Sequence, residues 1–230
     1  HFYLDGTGDY LTTPDAAGFS ALGDFSIVAR VNATDWTPTV SGAIASQYGA
    51  GGARSFRFIL VGASAGTLRL VQSTGGTTVV TATSTSAPSF TDGTTYWVMV
   101  TRASSSGDVK FYTAADNGSN TPPSSGSFTQ LGSTVTGGPT GNLFNSASSL
   151  YVGESDSGAG FYWTGSIYRV TIYSGIYGSG SESRVADMLA DDYSSGTTFT
   201  ASTTGETWTL NGDAHTDAAV SDGDTGSGAD

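Results

Sequence analysis

The 230 residues carry 20 acidic against 8 basic side chains, a formal charge of -12, and no cysteine. A field of that sign repels phosphate backbones and anionic headgroups, which argues against nucleic acid and membrane partners. The absence of thiols removes disulfides, thiolate zinc sites and a cysteine nucleophile together.

No apolar run is long enough to span a bilayer or to act as a signal segment. The start at His1 rather than Met reads as a processed product or a piece of something longer. An apolar share of 37% with 33 glycines suits one all-β domain of short strands joined by tight turns.

In chain order, Phe2 to Thr12 reads as two short strands around Asp5-Gly6-Thr7-Gly8, where Asp-Gly favours a hairpin. Phe25 to Val31 alternates, with Phe25, Ile27, Ala29 and Val31 on one face. Further strands are expected at Ala43 to Tyr48, Ser55 to Val61, Thr67 to Gln72, Thr77 to Thr83, Tyr96 to Arg102 and Val109 to Thr113. This spacing is that of a sandwich. Residues 114 to 145, rich in Gly, Ser, Thr and Pro, read as a long surface connection.

After Gly165 the alternation sets Tyr168, Val170 and Ile172 on one face and Ile167, Arg169, Thr171 and Tyr173 on the other. Ser183 to Asp192 reads as a short helix or an irregular strand, and Thr197 to Thr200 with Thr207 to Leu210 as a final hairpin. Residues 1 to 212 form the expected domain, and 213 to 230 a polar, acidic tail or linker.

Three stretches carry a family resemblance: Phe2 to Val31, Tyr96 to Tyr112, and Leu150 to Tyr173 with its Tyr-Val-Gly and Gly-x-Ile-x-x-Val-x-Ile-Tyr. Together they resemble the laminin-G-like, concanavalin-A-like domain. That resemblance implies an all-β, two-sheet antiparallel jelly roll. The segment from Arg184 to Gly212 resembles the ending that follows such domains in minor tail proteins of bacteriophages infecting actinobacteria. The implied role is a non-enzymatic binding module of a virion or extracellular assembly, recognising host surface carbohydrate. The alternative is a structural subunit assembling with copies of itself or with a capsid, and homo-oligomers fit either reading.

Sugar rings need aromatic platforms beside directional polar partners. Trp36, Tyr48, Tyr162 and Trp163 are the aromatic candidates in or beside loops, with Arg57 as a cationic partner; Trp97 and Trp208 are expected in the core. Arg30, Arg57, Arg69, Arg102 and Arg169 fall inside strands, either gathered on one basic outer face or paired singly with nearby Asp. The resemblance also implies a structural calcium ion near the chain ends. Asp5 and Asp9 are its candidate ligands, although Tyr168 stands where the family usually places an aspartate. A tail set of Asp222, Asp224 and Asp230 has the spacing of a calcium loop but lacks an oxygen side chain at Gly226 and a terminal glutamate.

A polysaccharide-cleaving enzyme on this scaffold needs two carboxylates about 5.5 Å apart. Glu154 and Asp156 have the right spacing, but no second glutamate follows, and turn roles are expected instead. His215 with Asp217 lacks a nucleophile motif to serve.

Overall fold

A computed structural model describes residues 1–19, 21–63, 66–155 and 160–216. Among these residues, fifteen strands form two antiparallel sheets of a jelly-roll sandwich. They are β1 (Phe2–Asp5), β2 (Tyr10–Thr13), β3 (Phe25–Ala33), β4 (Gly42–Tyr48), β5 (Arg54–Leu60), β6 (Leu68–Gly76), β7 (Val80–Thr83) and β8 (Thr95–Arg102). There follow β9 (Val109–Ala115), β10 (Thr129–Gln130), β11 (Leu150–Val152), β12 (Thr164–Ser174), β13 (Ser183–Leu189), β14 (Thr198–Thr200) and β15 (Thr207–Asn211).

One sheet runs β1-β12-β3-β8-β9-β10, with β13 also on β12; the other runs β14-β15-β2-β11-β4-β5-β6-β7. Between them, alternate side chains interdigitate: Phe25, Ile27, Val98 and Phe111 from the first sheet meet Phe56, Phe58, Leu70 and Trp208 from the second. Each such buried side chain is worth about 1.5–3 kcal/mol against leaving it in water.

Two expectations need correction. The Asp5–Asp9 turn is not a hairpin, because β1 pairs with β12 in one sheet and β2 with β11 and β15 in the other. Asp-Gly supplies the reversal, but distant partners claim both arms. On β12, a register shift between Ile167 and Arg169 breaks the simple alternation. Ile167 therefore joins Val170 and Ile172 in the core, while Tyr168 turns out to lie 4.3 Å beneath the Arg30 guanidinium. The extra residue coincides with the change of neighbour on the other edge of β12, from β1 to β13.

Ser183 to Asp192 resolves into β13 followed by one 3-10 turn, Ala190–Asp192. The final hairpin forms, with Thr198 opposite Thr209 and Thr200 opposite Thr207. The chain then returns to β1, where the Tyr3 N–H donates to the His215 carbonyl at 2.8 Å.

The arginines do not gather on one face. Arg30 and Arg169 lie opposite each other on the outer face of the β3/β12 sheet, whereas Arg57 and Arg69 lie on the other sheet. Arg102 is fully buried, donating to Gln72 Oε1 and to the carbonyls of Gly23, Pro139 and Gly141. Residues 116–128 of the long connection strap the outer face of the first sheet. Asp116 takes a bidentate bond from Arg30, Asn120 bonds both Arg30 and Arg169, and Asn117 accepts from the Trp97 indole. Trp97 is thus buried as expected, but in a satellite cluster with Val28, Met99, Phe128 and Tyr173 under that strap.

Candidate binding site at the sandwich rim

The β11–β12 connection passes over one end of β4 and is tied there by backbone bonds. The Ala43 N–H donates to the Phe161 carbonyl at 2.8 Å, Trp163 N–H to Gly153 at 2.8 Å, and Gly153 N–H to Ile44 at 3.3 Å. Phe161 is held at φ 73°, a left-handed conformation that costs an aromatic residue about 1–3 kcal/mol and persists only where surroundings enforce it. Its ring packs 4.6 Å from the Arg57 guanidinium, which lies 4.6 Å from the Tyr48 ring on another side.

Beside this stack is a cleft of about 450 Å³ between the β3–β4 loop, the β11–β12 connection and the Asp5–Asp9 turn. Phe161, Tyr162 and Trp163 line it together with Asp35, Pro38, Thr39, Val40 and Leu60. Trp163 is the buried member of this lining, and a side chain at Gly42 would come within 3.2 Å of its ring.

Of the aromatic candidates, Trp36 and Trp163 are core residues rather than exposed platforms. Each is 1% exposed, their rings meet edge to face at 6.0 Å, and their indole N–H groups donate inward to Thr94 and Asn32 carbonyls. Large rings flanking a sandwich rim bury more apolar area by plugging its open end than by facing water. Tyr48 is also mostly covered, 8% exposed, under the arginine stack. Tyr162 is partly exposed on the cleft wall. Burial and then the charge of Glu154, which also accepts from its hydroxyl, push the Tyr162 phenol up from its ordinary range.

Tyr10 lies 6.5 Å from Tyr162 and 5.9 Å from Tyr151, so three tyrosines from separate strands and loops surround the Glu154 side of the connection. Burial and Glu154 raise the Tyr10 phenol as well. Glu154 is itself fully buried, its carbonyl accepting from Ser46 Oγ at 3.1 Å. Asp156, its possible catalytic companion, lies outside the described residues, as do Asp217 and the tail aspartates. His215 is exposed, with Nδ1 3.0 Å from the Asp213 carbonyl.

The two candidate calcium ligands meet a third carboxylate from the far end of the chain. Oxygens of Asp5, Asp9 and Asp213 all lie within 4.8 Å of one another. Hard oxygen donors of this kind suit calcium, which takes about six to eight. The same carboxylates also organise the backbone: Asp9 accepts from the Asp5 and Asp213 N–H groups, and Asp5 from Thr7. Burial pushes the Asp9 carboxyl up to about 6. Asp213 was not legible as a partner, since 204 residues separate it from Asp9. Asp35, Val40 and Phe161 were likewise missed, although Phe161 directly precedes the candidates Tyr162 and Trp163 in the chain.

No protein-family model matches the sequence, and no curated protein sequence matches it. Solved structures do match in fold. The heptameric SAP-like pentraxin of Limulus polyphemus superposes with a TM-score of 0.51 at 18% identity, over 76% of this chain and 75% of that one. A protein from Bacteroides ovatus described as carbohydrate binding gives 0.60 at 16% identity, over 91% of this chain and 59% of the other. Domains LG4-5 of the mouse laminin alpha1 chain give 0.50 at 12% identity, over 80% and 41%. The chain thus spans less than two thirds of the latter two. These likenesses establish the concanavalin-A-like jelly roll.

Proposed function

We propose that this chain is a non-enzymatic carbohydrate-binding module whose ligand seats in the rim cleft, against Phe161 and Tyr162. The observation that carries this is the strained Phe161. An aromatic ring is held at φ 73° on the wall of the cleft while its carbonyl is locked to β4, and such strain is retained where a preorganised surface needs it. The described carbohydrate binding of the Bacteroides ovatus protein on the same fold supports the reading.

The wider setting is a virion or extracellular assembly, a phage tail or tail fibre touching host glycan, as the C-terminal resemblance implies. Among the described residues no helix is long and apolar enough to cross a membrane. Asp5 and Asp9, joined by Asp213, would hold a structural calcium ion at the turn whose Gly6 borders the cleft.

The test is a glycan array followed by calorimetry on its hits. Binding to defined glycans that is lost in Tyr162→Ala, with no new reducing ends released from those glycans, supports a lectin-like module. A folded protein that binds no glycan overturns it. Light scattering on that sample then reads whether a stable oligomer, and so a structural subunit, is the better account.

A further inference from the structure

We infer that the rim cleft selects neutral sugars bearing a methyl group, such as 6-deoxy, O-methyl or N-acetyl sugars, and rejects carboxylated and sulfated ones. This rests on the proposal that the cleft holds a saccharide. Three features of the cleft point the same way.

The first is Val40. It is 69% exposed, and only Val80 shares this property among the large hydrophobics of the described residues. It is also held in place. The β5–β6 turn backs its loop so closely that a Cβ at Gly62 would lie 2.5 Å from the Val40 carbonyl carbon, and one at Gly66 1.9 Å from the Trp36 carbonyl oxygen. Ala63 N–H donates to the Pro38 carbonyl at 2.8 Å, and Gly62 N–H to Ser41 Oγ at 2.9 Å. An apolar side chain fixed in water by its backbone carries the hydration cost permanently, and a ligand that covers it recovers that cost without ordering a loop.

The second is the apolar part of the lining. Pro38, Leu60 and Phe161 border the same cavity as Val40. Those side chains suit a methyl or acetyl group, and none of them can bond a hydroxyl or an anion.

The third is charge. Among the described residues Asp35 is the one charged residue lining the cleft, and Arg57 is not among those lining it. Asp35 Oδ1 is held by the Thr37 N–H at 2.7 Å and by the Thr37 hydroxyl at 3.1 Å. The carboxylate is therefore oriented before any ligand arrives. It can accept from sugar hydroxyls, and it repels a uronate or sulfate, as does the overall charge of -12.

The experiment titrates the purified chain with matched oligosaccharides that differ at one group: galactose against its 6-deoxy form, glucose against N-acetylglucosamine, and glucose against glucuronate. The methyl-bearing member is expected to bind about fourfold more tightly, or better, for each buried methyl, and the uronate more weakly than its neutral parent. In Val40→Ser the preference for the methyl-bearing sugar falls towards one. In Asp35→Asn the discrimination against the uronate narrows. Thermal melts of both variants confirm that each is folded. Binding with equal or greater affinity for uronates, or a methyl preference unchanged in Val40→Ser, overturns this inference while leaving the saccharide site standing. Absence of binding across the whole panel overturns both.

Discussion

The outer faces of the two sheets both stack arginine on aromatic rings, but one face is covered by its own chain and the other borders a cleft. On the β3/β12 sheet, Arg30 and Arg169 are neutralised by Asp116 and Asp187 and strapped under residues 116–128. On the other sheet, Arg57 stacks between Tyr48 and Phe161 beside an open cleft. Arg30 also has a ring beneath it, Tyr168, so what distinguishes the two faces is the strap that closes the first and the cleft that opens beside the second. The first face is stability; the second is where a ligand can gain from surface the protein itself leaves uncovered.

The sharpest way to break the comparison is Asp187→Ala. Asp187 is 1% exposed and accepts from Arg169 and from the Thr171 hydroxyl. Removing it leaves a buried guanidinium without its counter-charge, and denaturant unfolding should show a loss of about 3–5 kcal/mol. The rim lies elsewhere, so ligand affinity of the folded fraction should hold.

Phe161→Gly should do the reverse. Relief of the left-handed strain offsets the lost ring contacts, so stability should change by no more than about 1 kcal/mol, while glycan affinity measured by calorimetry drops about tenfold or more.

A smaller effect separates the two faces by pH. Bonds from Arg30 hold the Asp116 carboxyl below its ordinary value of 3.8, and bonds from Ser104 do the same for Asp24. A carboxyl with a lowered folded pKa contributes stability above its unfolded value, and that contribution is lost as pH falls through the folded one. Urea unfolding across the acid range should therefore steepen in the wild type relative to Asp116→Asn.

Asp9 should act in the opposite direction and least strongly. Raised from 3.8 to about 6, it binds its proton more tightly folded than unfolded, so its contribution falls as pH rises between those values. Carbon NMR of the aspartate carboxyls should show one midpoint near 6, and added calcium, if ligated, should lower it. An Asp9 midpoint in the ordinary range would remove the argument from burial.

Many of the strand positions were legible because period-2 alternation marks a half-buried strand without reference to its partners. Phe25 to Val31 shows this, with Phe25, Ile27, Ala29 and Val31 all on the core face as read. The rim was half legible. Tyr162 and Trp163 flagged the loop, but only Tyr162 stayed partly exposed there among the aromatic candidates at the cleft, since Trp163 and Trp36 are buried. Residue type indicates how much area a ring can bury, and packing decides which ring is buried.

By itself the sequence determined that this is an acidic, thiol-free β-sandwich, because composition and alternation are local properties of the chain. Only the tertiary structure decided that the Asp5–Asp9 turn joins two sheets, that Asp213 meets Asp9, and that Phe161 faces Arg57. Each of these depends on which distant strand or segment is the partner, and pairing across tens to hundreds of residues is selected by the burial of the whole core rather than by any short stretch of it.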